Sequence, residues 1–286
     1  MVSAKFSEGQ FGHYKFRPHP RLPVEMPRPI LVTVDAPIAA GKTTLVERLL
    51  RKLKWRVIVA EEPVGQWQAS GLLADMYKSL RPGQPNPDGM PGMFQIYAFV
   101  TRSGVLAEAM REATRISDDS GEPVIVLSER SVFTDRAVFK HMLAESGHIT
   151  ETQTRVYEGC YTALINQIVP EAAPDLSIWI NTPIDECVRR QIARNRDGES
   201  VSVEYATSLH ERHVELFGGK TARFGTADVP VLQLDGTQPF HTDDTVLKRV
   251  TDSIEHAITN TNPFRKISMD SVEFALALEP VVVECM

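Results

Sequence analysis

The chain has 286 residues, 42% hydrophobic and 24% charged, with a net charge of −6. That is the balance of a soluble globular protein, and its acidity argues against a nucleic-acid polymer as partner, since such binders carry a basic face. Three cysteines, Cys160, Cys187 and Cys285, build neither a disulfide framework nor a metal cluster and point to a reducing compartment. No apolar run reaches membrane-spanning length and no signal-peptide core opens the chain. The expected address is the cytoplasm with no membrane partner; mitochondrion and nucleus are the alternatives.

In chain order, residues 1–28 are rich in Pro, Gly and basic residues and read as a flexible arm, with a transit peptide as the alternative. An apolar strand over 30–34 leads into Ala36-Pro37-Ile38-Ala39-Ala40-Gly41-Lys42-Thr43-Thr44. This is a phosphate loop, G-K-[ST] between a strand and a helix, without its first glycine. Backbone N–H groups there meet phosphate oxygens, Lys42 adds a point charge, and the Thr43 hydroxyl suits Mg²⁺. Ala36 stands where glycine is expected. Either its backbone lies in an allowed region or the loop is distorted, because alanine does not cheaply adopt φ > 0.

Leu45, Leu49 and Leu53 mark the helix that follows. A second strand over 57–60 ends in Glu61-Glu62-Pro63-Val64-Gly65-Gln66-Trp67. A carboxylate at the carboxyl end of a strand sits in the crevice where open α/β sheets bind ligands. Residues 81–92, dense in Pro and Gly, read as a loop. Gln95 and Arg102 follow on a predicted helix, seven apart and on one face.

A third strand over 124–127 ends in Glu129-Arg130-Ser131, with Asp135 and Arg136 beyond. Thr150 and Gln153 form a capping box for a helix to about residue 169. A fourth strand spans 176–180, and Thr182-Pro183 reads as N-cap and N1 of a helix carrying Arg190 and Arg194. The fifth strand spans 229–234. Leu247, Val250 and Ile254 mark a last helix. From about residue 262 the tail is apolar enough to be expected to pack on the body or on a second subunit. The fold expected is one doubly wound α/β domain over 29–261 with a five-stranded parallel sheet.

Taken together and in order, the phosphate loop, E-P-V-x-x-W, F-Q-x-Y-A, E-R-S-x-x-x-D-R, an arginine-rich segment and E-Y-x-x-x-L-H resemble the deoxynucleoside kinase family over roughly 29–240. The resemblance implies ATP or another nucleoside triphosphate as phosphate donor, Mg²⁺, and a homodimer built on the helices around 95–115 and 150–169. It implies Glu62 as general base, Arg130 at the reacting phosphates, and Glu129 with Thr43 at the metal. Gln95 would read the base edge. Tyr77 and Glu204 would hold the 3′-hydroxyl, and Trp67, Phe94 and Phe139 would enclose base and sugar. Arg190, Arg194 and Arg196 would form a lid over about 189–202, closing on a triphosphate held by Gly41, Lys42, Thr43 and Thr44, with Asp235 near the donor base. Arg102 and Asp135 together favour deoxycytidine or a deoxypurine over thymidine, because a carboxylate accepts from an exocyclic amine. The rival readings are a nucleoside monophosphate kinase and a kinase-like subunit without activity.

Overall fold

The computed structural model describes residues 28–80, 89–167, 173–194, 202–225 and 227–261. The expectations placed on residues 1–27, on the tail from 262, on Cys285, and on Arg196 with the lid segment 195–201 lie outside them.

All five expected strands form: β1 (Ile30–Asp35), β2 (Arg56–Ala60), β3 (Val124–Glu129), β4 (Leu176–Asn181) and β6 (Ala227–Asp235). Every pairing among them is parallel. β1 and β3 are buried along their whole length, which is why their sequences run apolar without alternation. The sheet has a sixth strand that the sequence reading lacks. β5 (Thr221–Phe224) pairs antiparallel with β6 at the edge, giving the order β2-β3-β1-β4-β6-β5.

Helices cover both faces. On one side α1 (Lys42–Leu49) and α10 (Asp244–Thr259) pack Leu45, Leu49, Leu247 and Ile254 against Val32, Ile125 and Ile178. On the other, α4 (Met90–Ser120) and α7 (Glu151–Gln167) pack Phe99, Leu106, Ala113 and Tyr157 against Leu31, Val124 and Val126. The proline- and glycine-dense stretch gives way to helix earlier than expected. α4 starts at Met90, with Pro91 in the first turn, where its missing N–H costs nothing. The capping box is present: Gln153 N donates to Thr150 Oγ1 at 3.2 Å, and Thr150 N to Gln153 Oε1 at 2.9 Å. Gln153 Nε2 also donates to Gly89 O at 2.8 Å, tying the start of α7 to that of α4. The expected cap at Thr182 with Pro183 as first helical residue is not formed: α8 (Ile184–Arg194) begins one residue later, after Pro183, and the buried Thr182 Oγ1 makes no hydrogen bond among the described residues.

The N-terminal arm is anchored at its described end. Arg28 pairs with Asp175, whose Oδ2 also accepts from Leu31 N at 2.9 Å. Two short helices, α2 (Val64–Ala69) and α3 (Leu72–Ser79), follow β2 and wall the crevice at the carboxyl edge of the sheet. Their apolar residues close on Phe94 of α4. The crevice lies beside β1, where the chain turns from β2 and β3 on one flank to β4 and β6 on the other. Among the described residues, no helix is long and apolar enough to cross a membrane.

Candidate active site

A cleft of about 260 Å³ opens at this edge. It is lined by residues at or beyond the ends of β1 (Lys42, Thr43), β2 (Glu62, Trp67) and β3 (Glu129, Arg130, Asp135), and by α4 (Phe94, Gln95, Arg102).

The phosphate loop forms its floor. Gly41 has φ 99°, and α1 starts at Lys42 without a side-chain cap, so the first N–H groups of the helix are left for an anion. Ala36 keeps an ordinary φ, which settles the question its substitution raised. The left-handed position falls on Ala39 instead, at φ 61°. Ala36 O accepts from Arg130 Nη1 at 2.8 Å.

Arg130 itself sits at φ 68°, a conformation costing roughly 1–3 kcal/mol in a residue other than glycine. Its neighbours fix it there. Arg130 N donates to Val34 O at 3.0 Å, and Ser128 Oγ donates to Arg130 O at 2.9 Å. The chain leaves β3 sharply, Ser131 caps the next turn by accepting from Thr134 N at 2.8 Å, and the guanidinium swings over the cleft.

Glu62 accepts from Arg102 Nη2 at 2.6 Å and from Arg130 Nε at 3.2 Å. Burial alone would raise its carboxyl. Arg130, Arg102 and Lys42 outweigh burial and hold it down to about 2. Lys42 goes the other way: burial and the neighbouring Arg130 bring its ammonium down to about 8, against the pull of Glu62, Glu129 and Asp35. Glu129 is raised by burial, eased by Lys42 and raised again by Glu62, and it accepts from Thr43 Oγ1 at 3.1 Å.

Thr43 and Glu129 suit a hard cation. One hydroxyl and one carboxylate that burial makes costly to charge are what Mg²⁺ shares with substrate phosphates, and Mg²⁺ does not require a cage of side chains. Among the described residues there is no cluster of three or more His, Cys, Asp or Glu that would demand another metal.

At the far end, Asp135 is fully buried at the start of a single π-helical turn, Asp135–Lys140. It pairs with Arg102 and accepts from Gln95 Nε2 and, at 3.2 Å, from Tyr157 Oη. The one-face reading of Gln95 and Arg102 holds, and both converge on this carboxylate. Trp67 and Phe94 meet edge to face at 5.6 Å, and Arg102 lies over the Trp67 ring at 5.4 Å. Phe139 lies under Arg130, 4.7 Å from the guanidinium carbon to the ring centre. Tyr77 lines the cleft and packs edge-on against Tyr205 at 6.2 Å.

Other expected residues lie elsewhere. Glu204 is exposed and outside the cleft lining, and its neighbour Tyr205 on α9 (Val203–Phe217) enters instead. Arg194 lines the cleft, while Arg190 donates to Ala40 O at 3.3 Å and Gly236 O at 2.9 Å. Arg190 thus braces the phosphate loop against the loop after β6. Asp235 accepts from Thr237 N at 2.9 Å and Gln238 Nε2 at 3.1 Å, so its carboxylate is spent on shaping that loop.

Two buried groups here were not singled out by sequence. Asp35 ends β1 fully buried, raised by burial against the lowering effect of Arg130. His213, also fully buried, meets Arg130 at 3.2 Å. His210, the histidine of the E-Y-x-x-x-L-H stretch, lies one turn earlier and is only half-buried.

Comparison with known proteins gives a consistent picture. The family model for deoxynucleoside kinases matches residues 32–259. Deoxycytidine kinase 2 of Gallus gallus is 31% identical over 246 residues, 80% of this chain and 90% of that one. Human deoxycytidine kinase is 27% identical over 226 residues, 73% of this chain and 84% of that one. The mitochondrial deoxyguanosine kinase of Xenopus laevis is 24% identical over 224 residues, 73% of this chain and 82% of that one.

Proposed function

The chain belongs to the deoxynucleoside kinase family, and from that premise we propose that it moves the γ-phosphate of ATP to the 5′-hydroxyl of deoxycytidine or a deoxypurine nucleoside. One observation carries the reading. The carboxylate of Glu62 sits between the phosphate loop and the base-reading cluster, joined to Arg130 on one side and to Arg102 on the other.

Lys42 and the open N-terminus of α1 hold the β- and γ-phosphates, with Thr44 at the start of that helix. Arg194 closes from above, and the role of Arg196 is proposed by analogy with it. Thr43 and Glu129 would hold Mg²⁺, which when bound would supply positive charge against the phosphates. Arg130 steadies the transferring phosphoryl group. Glu62 accepts the hydrogen of the 5′-hydroxyl. As the bond from O5′ to the γ-phosphorus forms and the bond to the β-phosphate oxygen breaks, the proton passes to Glu62. A carboxylate held at about 2 is a weak base. It acts by orienting the hydroxyl and taking the proton late, which suits a loose transition state in which positioning and charge do most of the work.

Trp67, Phe94 and Phe139 enclose the nucleoside, and Tyr77 lies at the sugar. Arg102, Asp135 and Gln95 meet the base edge. Asp135 accepts from Gln95 and Tyr157 and pairs with Arg102; as a carboxylate it favours an exocyclic amine over a thymine carbonyl. Exposed Met93 and Val100 on α4 and Val156 on α7 support a homodimer across those helices, to be read by sedimentation.

The deciding assay offers each of the four deoxynucleosides with γ-labelled ATP and Mg²⁺. Label should appear in the monophosphates of deoxycytidine and the purines, with thymidine slowest. Thymidine as the best substrate would refute the base-site reading. No transfer to any of the four would refute the activity.

A further inference from the structure

Arg130 is the junction of the site. Its Nε donates to Glu62, and Nη1 donates both to Ala36 O and towards His213. The partners of His213 settle its tautomer. Nδ1 lies 2.7 Å from Leu209 O, which accepts only, so Nδ1 carries the hydrogen. Nε2 lies 3.2 Å from Arg130 Nη1, which donates only, so Nε2 presents its lone pair. The ring is held edge-on by Phe139 at 5.9 Å and stacked by Phe217 at 6.3 Å. Burial, then Arg130, keeps the imidazole well below its usual pKa, so it stays neutral.

A buried histidine in a helix needs one partner for each nitrogen, and a core role would be met by any polar neighbour. Here the second partner is the arginine that spans the base and the phosphate loop. A carboxylate in place of the imidazole would add a negative charge beside Arg130 and weaken its pull on phosphate. A neutral ring nitrogen fixes the guanidinium without discharging it.

We infer that His213 is a positioning residue for phosphoryl transfer: its Nε2 lone pair fixes Nη1 of Arg130, so that Nη2, which makes no hydrogen bond among the described residues, is aimed at the transferring phosphoryl group. The inference rests on the role given to Arg130 above.

The test compares His213→Phe, His213→Asn and His213→Gln, alone and, for Phe, combined with Arg130→Lys. Phenylalanine keeps the ring packing but offers no lone pair. Asparagine keeps a donor near Leu209 O but does not reach Arg130. Glutamine carries its carbonyl oxygen about as far out as Nε2. One charge-assisted hydrogen bond corresponds to about 10- to 100-fold, so kcat should fall by that factor in the Phe and Asn variants. The deoxynucleoside KM should stay within about threefold, because binding of the ground state does not use Nη2. Gln should recover most of the loss. In the Arg130→Lys chain, adding His213→Phe should cost less than about twofold more, as expected for residues acting as one unit. Wild-type kcat in the Phe variant, a Gln variant as slow as Asn, or a Phe loss that multiplies fully with Arg130→Lys would each overturn the inference. If Phe fails to fold, the Asn and Gln pair still decides it. Wild-type kcat in Arg130→Lys alone would instead remove the reading of Arg130 on which the inference stands.

Discussion

Lys42 offers the most direct check on the donor site, because its charge should be lost within the working range of the enzyme. The side chain is 8% exposed, and its ammonium is brought down to about 8 by burial first and Arg130 second. In the free enzyme, one pH step above that midpoint leaves about one chain in ten with a charged Lys42. Only the charged form offers the point charge that the triphosphate meets. kcat/KM for ATP, measured at saturating deoxycytidine, should therefore hold to about pH 8 and fall about tenfold by pH 9, since this ratio reports groups of the enzyme before ATP binds. Once ATP is bound, its phosphates favour the charged form, so kcat should stay level well beyond that point.

The control is Lys42→Arg. A guanidinium stays charged throughout this range and is a poorer fit to one phosphate, so the plateau should drop while the break near pH 8 disappears. Stability provides a second readout of the same group. Its folded pKa lies below the unfolded value of 10.5, so the folded chain carries a burial cost below about pH 8 that lifts as pH rises from 8 towards 10.5. A break in kcat/KM only above pH 10, or the same break in Lys42→Arg, would refute the argument.

Glu62→Gln should lower kcat about 10²–10⁴-fold while deoxynucleoside affinity changes little, because the amide keeps an acceptor for both arginines but cannot take a proton. The Glu62 carboxyl is depressed from 4.5 to about 2, so its stabilisation is complete above pH 4.5 and lost as pH falls towards 2. Acid unfolding of the Gln variant should lack that part of the pH dependence. Arg102→Leu with Asp135→Ala should raise kcat/KM for thymidine relative to deoxycytidine at least about tenfold, read from competing substrates, because the polar groups that reject a carbonyl edge are gone. Ala39→Gly should stabilise the chain by up to about 1 kcal/mol in urea unfolding, since glycine adopts φ 61° without a Cβ penalty. A loss of stability there would show that the Ala39 methyl group contributes packing.

The parts of this structure legible in the sequence share one property: their signal is carried by neighbours in the chain. Five strands announce themselves as unbroken apolar runs because both faces of β1 and β3 are covered. The capping box and the shared face of Gln95 and Arg102 are fixed by helical spacing alone. β5 was not legible, because four residues with alternating burial, bounded by glycines, are too short to stand out from a loop. The choice between Glu204 and Tyr205 was beyond reach for a different reason. Adjacent helical residues point about 100° apart, and only the seating of α9 decides which one meets the cleft. His213 is a single histidine on an apolar helix face, and nothing nearby in the chain signals that Arg130, far away in sequence, supplies its partner. Asp235 shows the opposite failure. Its place at the end of β6 is legible, and so is the turn chemistry of Asp235-Gly236-Thr237, but the turn consumes the carboxylate.

The charge balance of the cleft also bears on which acceptor it takes. A nucleoside monophosphate kinase must offer cations to a second phosphate at the acceptor end. The arginines present there are already committed. Arg102 is shared by Glu62 and Asp135; Arg130 bonds Glu62, Ala36 O and His213, and its remaining nitrogen, Nη2, is the one assigned above to the transferring phosphoryl group. Lys42, Arg102 and Arg130 stand among four carboxylates, Asp35, Glu62, Glu129 and Asp135. A phosphate placed beside Glu62 would have to break a buried pair and would meet the freed carboxylate at close range, a like-charge contact that costs several kcal/mol in such surroundings. A neutral 5′-hydroxyl needs only one acceptor lone pair, and Glu62 retains one while holding both arginines. Deoxycytidine monophosphate offered with ATP should therefore yield no diphosphate under conditions where deoxycytidine is turned over fully. Diphosphate formation at a comparable rate would show that the arginines are released more easily than their pairing implies, and would favour the rival reading, a nucleoside monophosphate kinase.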